Sequence, residues 1–269
     1  MKYADANGLR FAYLEEGQGP LVLLLHGFPD TARSWDDVRP RLAARGYRAV
    51  SPWMRGYAPS GIPERDADLT TLARDALALI EALGEQQAIL VGHDWGAATA
   101  YGAATLEPAR VSKLFTVGIP HPATMQPTPA LAWKVRHFLA YKLPGASRRF
   151  ARRDFAALAD IYRRWSPAWD VPAEELAPVR EAFADPRSLD AAFGYYRALP
   201  MRTPRFLRAP IQVPTVVFAG LDDDILTPDA YRAGARMFAA GYTVEEMRGG
   251  HFMHREHPDE FAGKLLAHL

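Results

Sequence analysis

Apolar positions along the chain switch between two periods. The uninterrupted run Leu21–Leu25 suits a strand buried on both faces of a parallel sheet. A helix is predicted over residues 34–45, ended by Gly46, and a strand over 47–52. Leu69, Leu72, Ala73, Ala76, Leu77, Ile80 and Leu83 then share one helical face, stopped by Gly84. Ala88 to Val91 reads as the next strand, the small-residue stretch 97–106 as its helix, and 113–119 as a strand. The strand signal returns as PTVVFAG at 214–220, followed by a helix over 228–238, a strand near 242–247 and a closing helix from Pro258. Ahead of all this, MKYADANGLRFAYLEEG reads as two short strands joined by an Asn7-Gly8 turn. Strands alternating with helices imply an α/β protein with a doubly wound, mostly parallel sheet.

Residues 122–209 break the alternation. Strand signals vanish there, and proline, arginine and aromatic residues increase, as in WKVRHFLAYKLPG and AAFGYYRALP. The expectation is a helical cap of residues 122–209 inserted into a core made of 1–121 and 210–269. Ligands of open α/β sheets bind at the carboxyl ends of the strands, so such a cap would close the site.

Composition narrows the function classes. The 269 residues are 49% hydrophobic and 23% charged, ordinary for a globular chain large enough for a full core. Lys and Arg number 32 against 31 Asp and Glu, a net charge of +1 that favours neither nucleic acid nor an acidic membrane as partner. The cap arginines accordingly read as solvated helix faces. The absence of cysteine excludes a disulfide framework, a thiolate nucleophile and a cysteine metal site. No apolar stretch approaches the ~20 residues that cross a bilayer, and the N-terminus lacks the apolar core of a signal peptide. A cytoplasmic location is the expectation.

Chemistry concentrates at Gly92-His93-Asp94-Trp95-Gly96, between the strand at 88–91 and the helix at 97–106. Small residues two positions either side of a nucleophile, at a sharp strand-to-helix turn, are the pattern of a nucleophile elbow, and here the nucleophile position carries an aspartate. With His26-Gly27-Phe28-Pro29 after the first long strand, Asp223 three residues past Gly220, and GGHFMHREHPDEF at 249–261, the chain resembles the α/β-hydrolase fold over essentially its whole length. Within that fold it most resembles the epoxide hydrolase family, the branch with an aspartate nucleophile.

The resemblance implies roles. Asp94 would attack an sp3 carbon and form an alkyl ester, splitting one hard step into two easier ones. A carboxylate attacking an ester carbonyl would instead give an anhydride, a poor intermediate, so the aspartate points away from esterases. His251 would activate water against the Asp94 carbonyl, and Asp223 would orient the imidazole. The backbone N–H groups of Phe28 and Trp95 would hold the oxyanion. Position after Gly220 selects Asp223 over Asp222 and Asp224, read as solvated loop charges. Among His251, His254 and His257, the match after Gly249-Gly250 selects His251. Their spacing lacks the carboxylate of a zinc pattern, so neither a metal nor a cofactor is expected. His26 and His93 read as buried, hydrogen-bonded histidines.

Opening an epoxide needs a proton donor opposite the nucleophile. FGYYRALP resembles a family cap motif and selects Tyr196. In RHFLAYKLPG, the position of the family's second tyrosine falls on His137, with Tyr141 one helical turn later as the other candidate. Trp95, Phe28 and Tyr141 would line the substrate site. The expected partners are a small apolar epoxide and water, and oligomeric state is not readable. Haloalkane or haloacid dehalogenases share the aspartate, but the residue after His-Gly that often binds halide is Phe28, and the arginine of fluoroacetate-type enzymes is Trp95. A non-catalytic ligand-binding protein on the same fold is the remaining alternative; intact Asp94, Asp223 and His251 argue against it.

Overall fold

A computed structural model describes residues 1–125, 128–200, 202–223 and 226–269. Strands β1 (Lys2–Ala6) and β2 (Leu9–Glu16) pair antiparallel around Asn7 and Gly8. Both turn residues have positive φ, 45° and 72°, as this tight hairpin demands. Next come β3 (Leu21–Leu25), α1 (Arg39–Ala43), β4 (Arg48–Pro52), α2 (Leu69–Ala82), β5 (Ala88–His93), α3 (Trp95–Leu106) and β6 (Val111–Val117). Helices α4 (Pro129–Lys134), α5 (His137–Lys142), α6 (Ala146–Phe150), α7 (Arg152–Trp165), α8 (Ala173–Ala182) and α9 (Pro186–Arg197) then lie between β6 and the next strand. The chain closes with β7 (Thr215–Gly220), α10 (Pro228–Arg232), β8 (Tyr242–Met247), α11 (Met253–Glu256) and α12 (Pro258–Ala267).

The eight strands form one sheet in the order β1-β2-β4-β3-β5-β6-β7-β8, parallel from β4 to β8. This is the architecture expected of an α/β-hydrolase fold. The all-apolar β3 shows why both faces are covered. Leu21, Leu23 and Leu25 join the core that holds Leu72, Ile80 and Tyr101 of α2 and α3. Val22 and Leu24 point the other way, into a core with Leu42 of α1 and Phe261 and Leu265 of α12.

Two helices are shorter than the pattern predicts. Residues 34–45 divide into a 3-10 turn, Ala32–Trp35, and α1, because Pro40 withholds a backbone N–H and is accommodated only in a first helical turn. Residues 228–238 divide at Gly234 into α10 and a 3-10 turn, Ala235–Met237. Because β3 and β5 to β8 run parallel, the carboxyl ends of β3, β5 and β7 and the loop after β8 lie at the same end of the sheet.

Candidate active site

Asp94 sits between β5 and α3 with φ 50° and ψ −114°. Positive φ is costly for a side chain other than glycine, so the surrounding structure must impose it. Its neighbours allow the sharp turn because they have no side chains. A Cβ on Gly92 would lie 2.3 Å from the Gly96 carbonyl oxygen, and one on Gly96 would lie 2.1 Å from that of Leu25. The small residues of the motif are therefore space requirements of the turn.

The carboxylate is engaged on both oxygens. Phe28 N–H donates to Oδ1 at 2.9 Å, and His251 Nε2 stands 3.5 Å from Oδ2. Burial works against the Asp94 charge, yet the hydrogen bond and charge of His251, the charge of His93 and the Phe28 N–H hold its pKa below the usual carboxylate range. Asp94 is thus ionised at neutral pH. Trp95 opens α3, where a first-turn N–H has no acceptor within its own helix. His93 steadies the histidine opposite by donating from Nε2 to the His251 carbonyl at 3.0 Å. His26 bridges Gly27 O and Met54 N–H at 2.9 Å each, and burial lowers its pKa to about 4. Both are buried, hydrogen-bonded histidines.

Asp223 is buried and Asp222 exposed, while Asp224 lies outside the described residues. Asp222 accepts from Gly249 N–H at 2.8 Å. The Asp223 carboxylate accepts from Leu226 N–H at 2.9 Å and from Lys134 Nζ at 3.2 Å. Lys134 was not singled out in the sequence. It ends α4, is itself buried, and its ammonium lies 5.0 Å from the Trp165 ring centroid. The Nδ1 atom of His251 is buried and, among the described residues, makes no hydrogen bond.

Tyr196 of α9 is 2% exposed, with its ring 5.2 Å from that of Trp95 and 5.0 Å from that of Tyr141. Burial first, and the Asp94 carboxylate second, push its phenol well above the ordinary value. Tyr196 therefore stays protonated. Burial also raises Tyr141, whose ring stacks on Phe193 at 4.2 Å. His137 shares a cavity wall with Tyr196 and His251. Its Nδ1 meets the Lys134 carbonyl at 3.1 Å, and burial lowers its pKa to about 4. A carbonyl only accepts, so Nδ1 carries the proton and Nε2 of the neutral ring is an acceptor.

A second polar cluster, also unforeseen, lies behind the elbow. Asp30, His93 and His254 are buried with one ligand-type atom each, all within 4.8 Å of one another. Asp30 Oδ1 accepts from Tyr162 Oη at 2.7 Å and pairs with Arg255, which also binds Glu175 of α8. Burial opposes ionisation of Asp30, but Arg255 and His93 hold it far below the usual carboxylate range. One signal was available: four ionisable residues in a row, His254 to His257, follow His251 after only Phe252 and Met253.

The fold and the elbow define an α/β hydrolase, and residues 20–258 match the family model for the alpha/beta hydrolase fold. The chain belongs to that family. It is 28% identical over its full length to epoxide hydrolase A of Mycobacterium tuberculosis, covering 96% of that protein. It is 29% identical over its full length to AB hydrolase superfamily protein YfhM of Bacillus subtilis, covering 97% of it. Among solved structures, epoxide hydrolase VrEH1 of Vigna radiata superposes with a TM-score of 0.84 at 25% identity, over 99% of this chain and 96% of the other. Among the described residues, no helix is long and apolar enough to cross a membrane.

Proposed function

We propose that the protein is an epoxide hydrolase that converts an epoxide to a vicinal diol through an ester on Asp94. The observation that carries this is the Asp94 carboxylate, ionised, bonded to Phe28 N–H and set 3.5 Å from His251 Nε2. The names of the relatives support the same reaction.

An oxygen of Asp94 attacks one ring carbon, the carbon–oxygen bond of the ring breaks, and Tyr196 gives its proton to the departing oxygen. Tyr141 stands beside it as the second phenol. Water next attacks the Asp94 carbonyl carbon while His251 takes its proton. The N–H of Phe28, already on Oδ1, and that of Trp95 stabilise the oxyanion. Collapse expels the second diol oxygen, which takes the proton from His251. The regenerated Asp94 carboxyl loses its proton to the Tyr196 phenolate, so epoxide plus water gives diol. Asp223 is the acid that orients His251. Helices α4–α9 form the cap, over residues 122–209.

Purified protein is to be incubated with styrene oxide, 1,2-epoxyhexane and 1-chlorobutane, and products identified by gas chromatography–mass spectrometry. Diols that vanish with Asp94→Ala are expected. Alcohol and chloride release without diol formation would make the protein a dehalogenase.

A further inference from the structure

Two cavities of unequal size meet at Asp94. The larger is about 270 Å³ and is lined by Leu69, Trp95, Ala98, Leu199, Pro204 and Leu207 among others. The smaller is about 60 Å³ and is bounded by Phe28, His137, Ile161, Trp165, Tyr196 and His251. Asp94, Ile119, Met125 and Phe138 border both. The two chambers are therefore the two sides of one reaction centre.

The reactive groups are not shared equally. His251 and Tyr196 border only the small chamber, and Trp95 only the large one. The ring oxygen must reach Tyr196, and the hydrolytic water must reach His251, so both occupy the small chamber. The small chamber has under a quarter of the volume of the large one, about 60 against 270 Å³, and with the ring oxygen and the hydrolytic water inside it offers a carbon substituent far less room. The large chamber has no such tenants, and its walls suit an aryl or alkyl arm.

On the reading that Asp94 opens epoxides, we propose that this site selects terminal epoxides carrying one apolar arm and excludes those with bulky groups on both ring carbons. The single arm lies in the large chamber. A second arm would have to displace the hydrolytic water or press into Trp165 and Ile161, which are buried.

The test compares kcat/KM for styrene oxide and 1,2-epoxyhexane with that for trans-stilbene oxide and trans-5,6-epoxydecane. The terminal epoxides are expected to lead by ~100-fold or more, the scale of overpacking a filled site. Val135 and Ile161 line the small chamber, and Val135 is only partly buried, so Val135→Ala spares the fold where Ile161→Ala does not. Val135→Ala should narrow the gap by raising turnover of the disubstituted epoxides. Equal efficiency on both classes in the wild type would overturn the size partition and leave epoxide hydrolysis standing. Turnover of none of the four would overturn the epoxide reading and the partition with it.

Discussion

Replacing Lys134 by methionine tests how the proposed acid is held. The ion pair between Lys134 Nζ and Asp223 Oδ1 is 3.2 Å long, and the two side chains are only 8% and 3% exposed. Removing one partner of a buried pair costs about 3–5 kcal/mol when the other charge is left uncompensated. Among the described residues, at least two groups limit that cost. Leu226 N–H remains on the same carboxylate oxygen, and His251 Nδ1 is a buried ring nitrogen in want of a partner among the described residues. A hydrogen bond to a charged group contributes about 1.5–3 kcal/mol, so a shift of Asp223 towards His251 recovers part of the loss. The expected cost of Lys134→Met is therefore about 2 kcal/mol, and the charge that carries it is Asp223. Urea unfolding of the wild type, Lys134→Met, Asp223→Asn and the double variant closes a cycle that isolates the pair. A coupling near 2 kcal/mol is predicted, and one below about 0.5 kcal/mol would refute the argument, since independent sites add to within that margin. The same proteins separate structure from catalysis: Asp223→Asn should slow ester hydrolysis more than Lys134→Met does.

Further outcomes follow from the same geometry. Tyr196→Phe removes the proton donor and should lower kcat/KM on epoxides by ~10²–10⁴-fold, measured by diol formation with folding checked by circular dichroism. Undiminished activity would assign the donor to another group. The neutral, buried histidines predict a pH effect on stability. His26, His121 and His137 have folded pKa values lowered to about 4 by burial, below the ordinary 6.5. The unfolded chain thus binds more protons than the fold between those values. Stability is full above pH ~6.5 and falls as pH drops towards 4, at about 1.4 kcal/mol per pH unit for each histidine. Urea midpoints should decline across that window, and a flat profile would contradict the assignment.

How much was readable from sequence depended on how local each determinant is. The hairpin was legible because Asn7 and Gly8 alone supply its two positive φ values. The apolar β3 and the small residues at Gly92 and Gly96 were legible because burial on two faces and a sharp turn leave no freedom of side chain. The helix breaks at Pro40 and Gly234 were also written locally, but the apolar pattern over 34–45 and 228–238 masked them. Lys134 was not legible. Its partner lies 89 residues away, and a lysine in ALAWKVRHFL reads as a solvated end. The bonding of His137 was illegible for a related reason: motif spacing gives a residue its place, whereas a backbone carbonyl decides which ring nitrogen holds the proton. Asp30 and Arg255, 225 residues apart, likewise meet only through the fold.

The account rests on an ester at Asp94, and His251→Gln should trap it, because the nucleophile remains while the base for hydrolysis is lost. That variant is to be incubated with styrene oxide, its intact mass recorded and the modified peptide sequenced. The prediction is a gain equal to the whole epoxide, located on Asp94. Modification elsewhere, or no adduct under conditions where the wild type releases diol, would contradict the mechanism.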